Sequence, residues 1–494
     1  MDNITATNTQ KVAKGISSQT IVTIVLGIVE ITSFSILSRL LSQEDFGYYA
    51  AITAITTIFA TFSETGIGSA IVQQKQLSKA YLNNAFSLSL LFGAVISSIL
   101  FVFAHLISDL VADSSMTNAL RLMSITLLCN CLTSVYISIL HRKLEFIKIG
   151  LINLISLVLS VSAAITFALL GYGYYAIIAR AVLISLITFF LSFLLCKTRF
   201  HIEFNTSILK SIFSFSGWLM ASALFRNLAH QVDRLMMPKL LSVNALGAYN
   251  RPKDFVESIS TRLNSIFDSA LFPVLSGVQD KKEVLQSAFR RSLSLMNVFA
   301  ILLTLLFFFN SRLIIRIFFG AQWLDLNVIM MVVSCSLMFN IDGRLADCFL
   351  RSLAMTKEQF FFRIFETVVK IIGVLIGFNW GIFGVAASIV ITNFISKIIK
   401  ILFVSKVLDI SYAECVRLII TSWRFAVLIV VACGITMFLI PNSWSGDIVL
   451  SIVFALTVAV IFLITPSVVG ARYKEEFYIK IIAFLKDKKI RNKI

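Results

Sequence analysis

Runs of apolar residues as long as a bilayer is thick recur along this chain, and they limit its fold more than any other feature. Leu88 to Phe103 holds no ionisable residue, and neither does Val298 to Phe309. With their flanks, such runs reach roughly 20 residues, the length a helix needs to cross hydrocarbon. A backbone in hydrocarbon must satisfy its own hydrogen bonds, which leaves helices and closed barrels. Barrel strands would alternate apolar and polar residues over about 10 positions, and these runs do not alternate. The expected fold class is therefore all-α and polytopic. Composition agrees: 58% of the residues are hydrophobic and 14% charged, against about 45–50% and about 25% in an ordinary soluble domain.

Windows of about 19 residues predict fourteen spans, near 16–38, 47–71, 83–107, 117–140, 148–170, 173–195, 211–238, 246–273, 287–310, 326–349, 360–379, 382–404, 421–440 and 448–470. The seventh and eighth are the least apolar, because each carries several charges. With the N-terminus placed in the cytoplasm, thirty of the 43 lysines and arginines fall at cytoplasmic ends and loops. Seven fall on the other side (Arg39, Arg121, Lys239, Arg251, Lys253, Arg312 and Arg316) and six within spans. The positive-inside rule makes such a bias a statement of orientation, so both termini are expected in the cytoplasm and the net charge of +17 is assigned to topology rather than to nucleic-acid binding. The basic end of the chain alternates Phe477, Ile481, Phe484 and Leu485 with lysines, as a segment lying on an anionic leaflet would. No cleavable signal is expected at the N-terminus. The seven cysteines form no CxxC pair, and the four histidines no HExxH. The expectation is accordingly no metal, no cofactor and no catalytic residue.

An internal repeat sets the domain organisation. Leu40-Leu41-Ser42-Gln43-Glu44-Asp45-Phe46-Gly47 returns as Leu240-Leu241-Ser242-Val243-Asn244-Ala245-Leu246-Gly247, and Gly173-Tyr174-Tyr175-Ala176 is loosely echoed by Gly381-Ile382-Phe383-Gly384. Both pairs are six spans apart, an even offset, so the two halves have the same orientation, as in parallel-repeat transporters. The predicted order is a cytoplasmic N-terminus (1–15), a six-helix bundle (16–196), a cytoplasmic linker (197–210), a second six-helix bundle (211–405), two additional helices (406–470) and a basic tail (471–494).

Charges within spans cost roughly 2.5–3.5 kcal/mol each on insertion scales and normally face a cavity or a partner. The basic ones are Arg180, Arg226, Arg234, Arg262, Arg344 and Lys370; the acidic ones are Glu30, Glu64, Asp233, Asp254, Glu257, Asp268, Asp342, Asp347 and Glu366. Helical spacing puts Arg226, His230 and Asp233 on one stripe, Asp254, Glu257, Thr261, Ser265 and Asp268 on another, and Asn340, Arg344, Asp347 and Arg351 on a third. The functional expectation is a water-filled cavity between the halves lined by these stripes. The alternative is that acids and bases pair across helices and fix packing, the reading preferred for Glu366 with Lys370 at i, i+4. Glu30, inside an otherwise apolar span, is a candidate proton site.

The spelling of several motifs then becomes specific. Ser38-Arg39-Leu40-Leu41-Ser42-Gln43-Glu44-Asp45-Phe46-Gly47, Glu64-Thr65-Gly66-Ile67-Gly68-Ser69-Ala70-Ile71-Val72-Gln73, Leu144-Glu145-Phe146-Ile147-Lys148-Ile149-Gly150, Asp233-Arg234-Leu235, Leu246-Gly247-Ala248-Tyr249-Asn250-Arg251, Phe272-Pro273 and Phe319-Gly320-Ala321-Gln322-Trp323 together resemble Wzx-type polysaccharide-repeat-unit flippases of the multidrug/oligosaccharidyl-lipid/polysaccharide superfamily, over about residues 10 to 410. The resemblance implies two six-helix bundles facing a central cavity in the cell inner membrane. It also implies a non-enzymatic function, flipping of an undecaprenyl-pyrophosphate oligosaccharide by alternating access. Substrate contacts would then fall to Arg180, Arg226, Arg234, Arg262, Arg344 and Lys370. Coupling or cavity acids would be Glu30, Asp233, Asp254, Glu257, Asp268 and Asp347. The implied partners are the lipid-linked glycan, the bilayer, a coupling H+ or Na+ and a polysaccharide polymerase, with no nucleic acid. Acids outnumber bases within the spans, so the cavity is not expected to be net positive. The rival readings are a drug or organic-cation exporter of the same superfamily, and a membrane glycan polymerase or ligase.

Overall fold

The computed structural model describes residues 25–64 and 78–464, apart from 199, 354 and 441–442, together with the isolated positions 22, 67, 68, 71 and 74. The expected N-terminal segment and basic tail lie outside these residues, as do the side chains of Glu64, Asp268 and Asp342.

Every predicted window contains helix over its described residues. The helices are α1 (25–40), α2 (Gln43–Glu64), α3 (Lys79–Val111), α4 (Thr117–Arg142), α5 (Phe146–Leu169), α6 (Tyr175–Cys196), α7 (Thr206–Leu240), α8 (Val243–Ser276), α9 (Lys282–Phe309), α10 (Asn327–Ser334 continued by Ser336–Ser352), α11 (Thr356–Gly377), α12 (Gly381–Val407), α13 (Tyr412–Leu439) and α14 (Trp444–Ile464). Among the described residues, eight stretches are long and apolar enough to cross a membrane, and α7 and α8 are not among them, as their charges lead one to expect. On α3, Leu91, Val95, Ile99, Val102 and Leu106 are exposed at helical spacing. Such an apolar stripe suits lipid rather than water. Many serines and threonines within the spans bond to carbonyls of their own helix, as Thr56 does to Ile52 O at 2.6 Å, which satisfies those hydroxyls in the bilayer.

Helices α2 to α6 pack as one bundle and α7 to α12 as another; the bundles meet where α2 runs against α7 and α8, and α13 packs on α9 with α14 beside it. The two ends of this assembly differ. At the end carrying the Leu-Leu-Ser repeats, one apolar core spans both bundles, running from Leu37, Phe46 and Ile52 to Tyr249, Phe319 and Trp323. At the opposite end each bundle has a core of its own, around Tyr81, Tyr136 and Cys196 in the first and around Phe289, Phe349 and Cys415 in the second.

The repeat explains the shared end. Its two copies start α2 and α8, and their glycines lie against one another's helix. A Cβ at Gly47 would sit 1.9 Å from Val243 O, and one at Gly247 would sit 1.7 Å from Gln43 O. Only glycine permits that approach of two backbones. The looser echo is structural too: Gly173, two residues before α6, and Gly381, the first residue of α12, both take positive φ, 54° and 67°.

Candidate functional site

At the repeat end, Arg251 joins the bundles. Its guanidinium lies 3.2 Å from the Phe34 ring centroid and 4.0 Å from that of Phe46. It donates to Phe34 O at 2.7 Å and to the Ser38 hydroxyl. Trp323 Nε1 and Gln322 Nε2 both donate to Ser38 O at 2.8 Å, and Lys239 donates to Asp109 O at 3.0 Å. Arg251 and Lys253 were expected among the residues outside the spans. Both are buried, because α8 starts at Val243 and carries them inward.

Lys253 belongs to a second group, within the second bundle. It pairs with Asp233, which also accepts from Tyr249 Oη at 2.7 Å. Arg234 pairs with Asp254 and reaches Glu257 at 3.6 Å, and Asn250 donates to Asp254 at 2.6 Å. Asp233 therefore turns from the expected stripe toward α8. Arg234, with three carboxylates around it, holds α7 to α8. Glu30 has a partner as well: it binds Arg262 across α1 and α8, both side chains nearly half exposed.

Deeper in the second bundle, α7, α8, α10, α11 and α12 enclose a cavity of about 230 Å³. On α10 the stripe of Asn340, Arg344, Asp347 and Arg351 lines it. From α7 come Arg226 and His230, from α8 Glu257, Ser260, Thr261 and Asn264, from α11 Arg363, Glu366 and Lys370, and from α12 Lys397 and Lys400. Among the described residues, seven lysines and arginines face three carboxylates. The cavity is thus net positive, contrary to the count of charges within spans. Arg363, Lys397 and Lys400, which are absent from the expected stripes, also line the cavity.

Four of these charges form a closed network. Arg363 lies 2.7 Å from Asp347 and 2.8 Å from Glu366, and Lys400 lies 3.2 Å and 2.5 Å from the same two carboxylates. Glu366 is therefore held by Arg363 and Lys400 rather than paired with Lys370 one turn along. Arg226 and Lys370 line the cavity with no ion-pair partner among the described residues. The signal for the network was in the sequence: Arg363 and Glu366 stand at i, i+3, and so do Lys397 and Lys400, on helices already predicted.

The sixth expected cation, Arg180, lies elsewhere. It lines a second cavity of about 610 Å³ in the first bundle, with Tyr49, Thr53, Thr56, Thr57, Thr126, Asn130, Ser185, Thr188 and, from α7, Asn227. The expected single charged cavity is thus two, on either side of α7: one lined by many charged side chains, the other with Arg180 as the one charged side chain of its described lining. No group of three His, Cys, Asp or Glu side chains suited to a metal occurs among the described residues.

Comparison with known proteins agrees with this architecture. The chain is 24% identical to the lipopolysaccharide biosynthesis protein WzxC of Escherichia coli (strain K12), over 81% of this chain and 82% of that one. It is 27% identical to the succinoglycan biosynthesis transport protein ExoT of Rhizobium meliloti (strain 1021), over 58% of each. Among solved structures it has the fold of the lipid II flippase MurJ in an inward closed conformation, with a TM-score of 0.69 at 17% identity, covering 90% of this chain and 98% of that one. The resemblance read from the motifs is borne out. A family model described as polysaccharide biosynthesis protein matches residues 36–328, more than half of the sequence, and this polytopic helical chain belongs to that family.

Proposed function

We propose that the protein flips undecaprenyl-diphosphate-linked oligosaccharide repeat units across the cell inner membrane, for export of a surface polysaccharide. The observation that carries this reading is the cationic cavity of the second bundle, in which Arg226 and Lys370 are not neutralised by a paired acid. A diphosphate cannot cross hydrocarbon unaided. It needs donors along its path, and a guanidinium offers five of them in a planar fork. The asymmetry of lysines and arginines puts both termini in the cytoplasm and the sealed repeat end outside. The cavities then load from the cytoplasmic side, and parting of the repeat end releases the lipid outward. A gradient of H+ or Na+ drives the cycle, and a polymerase consumes the product. The relatives' names, a biosynthesis transport protein and a lipid II flippase, support carriage over bond-making. The exporter reading is disfavoured by the cation surplus, which repels an organic cation.

The test is export in cells and flipping in proteoliposomes. The purified protein is expected to relocate a lipid-linked oligosaccharide without changing its mass; a new glycosidic bond in the mass spectrum overturns the reading. Arg226→Ala is expected to lower export by about ten-fold or more, since a charge-assisted hydrogen bond contributes roughly 1.5–3 kcal/mol. Protein abundance should stay normal, and Arg226→Lys should be intermediate. Full export by the Arg226→Ala, Lys370→Ala double variant removes these cations from the path.

A further inference from the structure

We infer that the two cavities divide the lipid-linked glycan between them: the cationic cavity of the second bundle takes the diphosphate, and the cavity of the first bundle takes the sugars joined to it. This rests on the flippase reading and says where each chemical part of its substrate sits.

The hydroxyls of the first-bundle cavity carry the argument. Thr53, Thr56, Thr126 and Thr188 donate their protons to carbonyls of their own helices, to Tyr49, Ile52, Met123 and Ile184 at 2.6 to 2.8 Å. Ser185 donates to Asn130 Oδ1 at 2.8 Å. A hydroxyl that has spent its proton keeps its lone pairs and acts as an acceptor. Phosphate oxygens at neutral pH chiefly accept, so this wall suits them poorly. Sugar hydroxyls donate as well as accept, and they match it. The donors left among these residues suit the same guest: the Thr57 and Tyr49 hydroxyls and the Asn130 side-chain NH2 donate no hydrogen bond among the described residues. Arg180, the one cation of the lining, gives the site a place for an acidic substituent on a sugar.

Size and position agree. The sugar side is the larger, at about 610 Å³ against about 230 Å³, and falls in the range of roughly 300–1,000 Å³ typical of small-molecule sites. In a glycosylated lipid the diphosphate is bonded directly to the first sugar, so the two subsites must be neighbours. Arg226 faces the cationic cavity and the next residue, Asn227, faces the first-bundle one. Consecutive Cα atoms lie about 3.8 Å apart, so the two linings adjoin at α7.

The experiment measures binding of two probes to the purified full-length protein in nanodiscs: bare undecaprenyl diphosphate, and the same lipid carrying a neutral disaccharide. The wild type should bind the glycosylated lipid about ten-fold more tightly, since leaving buried polar groups unpaired penalises a guest that lacks their partners. The isosteric changes Thr57→Val and Asn130→Leu, together or Thr57→Val alone, should bring the two affinities within about three-fold and leave that for the bare lipid unchanged. Arg226→Ala with Lys370→Ala should weaken both probes by about ten-fold or more. An acidic disaccharide should gain over the neutral one in the wild type and lose that gain in Arg180→Gln. Weakened binding of the bare lipid by the first-bundle variants, with the preference for sugar intact, overturns the division. Failure of the wild type to bind either lipid saturably overturns the flippase reading itself.

Discussion

The two ends of the molecule use opposite means of holding it together. At the repeat end the bundles share a core and are tied to each other, through Arg251 on Phe34, Phe46 and Ser38, and through Trp323 on Ser38 O. At the opposite end each bundle is tied to itself. Asn83 binds Glu203 and the amide of His201, tying the linker back onto α3 of the first. In the second, Lys282 pairs with Asp409, and Arg290 with Glu414, joining α9 to the start of α13. A seal that must break and re-form is built from backbone contact and ring faces. Bundles that must move as bodies are braced internally, most strongly by the buried network of Asp347, Glu366, Arg363 and Lys400. In the proposed flippase cycle this asymmetry would make opening and closing depend chiefly on the repeat end.

That contrast breaks most severely at the glycines. Gly247→Val puts side-chain atoms where the Gln43 carbonyl stands, and no rotamer relieves a clash with backbone. Export should be abolished, and a cysteine placed at Ala51, buried in the shared core of that end, should become reactive to an impermeant thiol reagent in a background without native cysteines. Normal export by this variant shows that the seal is dispensable. A smaller effect is expected at Arg251. A cation–π contact away from water contributes about 2 kcal/mol or more, so Arg251→Ala should shift the population toward the open form by roughly thirty-fold or more, seen as the same labelling with protein abundance unchanged. An unaltered labelling rate would show that the shared apolar core alone keeps that end shut. The least effect belongs to Lys282→Ala at the opposite end, where the pair with Asp409 is mostly exposed. Surface pairs are worth about 0–1 kcal/mol, so melting temperature and export should change little. A large loss of export there would mean that this end too holds the balance.

Much of the site was legible in the sequence, and the parts that were not fail for one reason. Arg226, Arg344, Lys370, Glu257 and Asp347 were found as ionisable residues at membrane depth, and all face the cationic cavity. Arg363, Lys397 and Lys400 were passed over because they stand near helix ends, where lysine and arginine usually mark a cytoplasmic boundary. All three already lie inside the predicted spans 360–379 and 382–404, and it is the packing of α11 and α12 against α10 that turns them to the cavity. Arg234 and Arg262 were read as substrate contacts, and each is taken up by acids, Arg262 by a glutamate on α1. Helical spacing tells which residues share a face but not which neighbouring helix that face meets.

The sequence alone therefore determined the class of fold, the number and order of the helices, the parallel repeat and the family, since each follows from local quantities: apolar length, turn spelling and periodicity along one chain. The tertiary structure decided which charges cancel and which stay available. Asp347 meets Lys400 from a helix 53 residues further on, and a pairing over that distance is set by how α10, α11 and α12 pack. Two glycines recognisable as a repeat became a seal only when α2 and α8 were laid against each other. Desolvation makes such pairings decisive: inside a bilayer an unpaired charge is costly wherever it stands, so the packing that supplies partners also fixes where the uncompensated cations face.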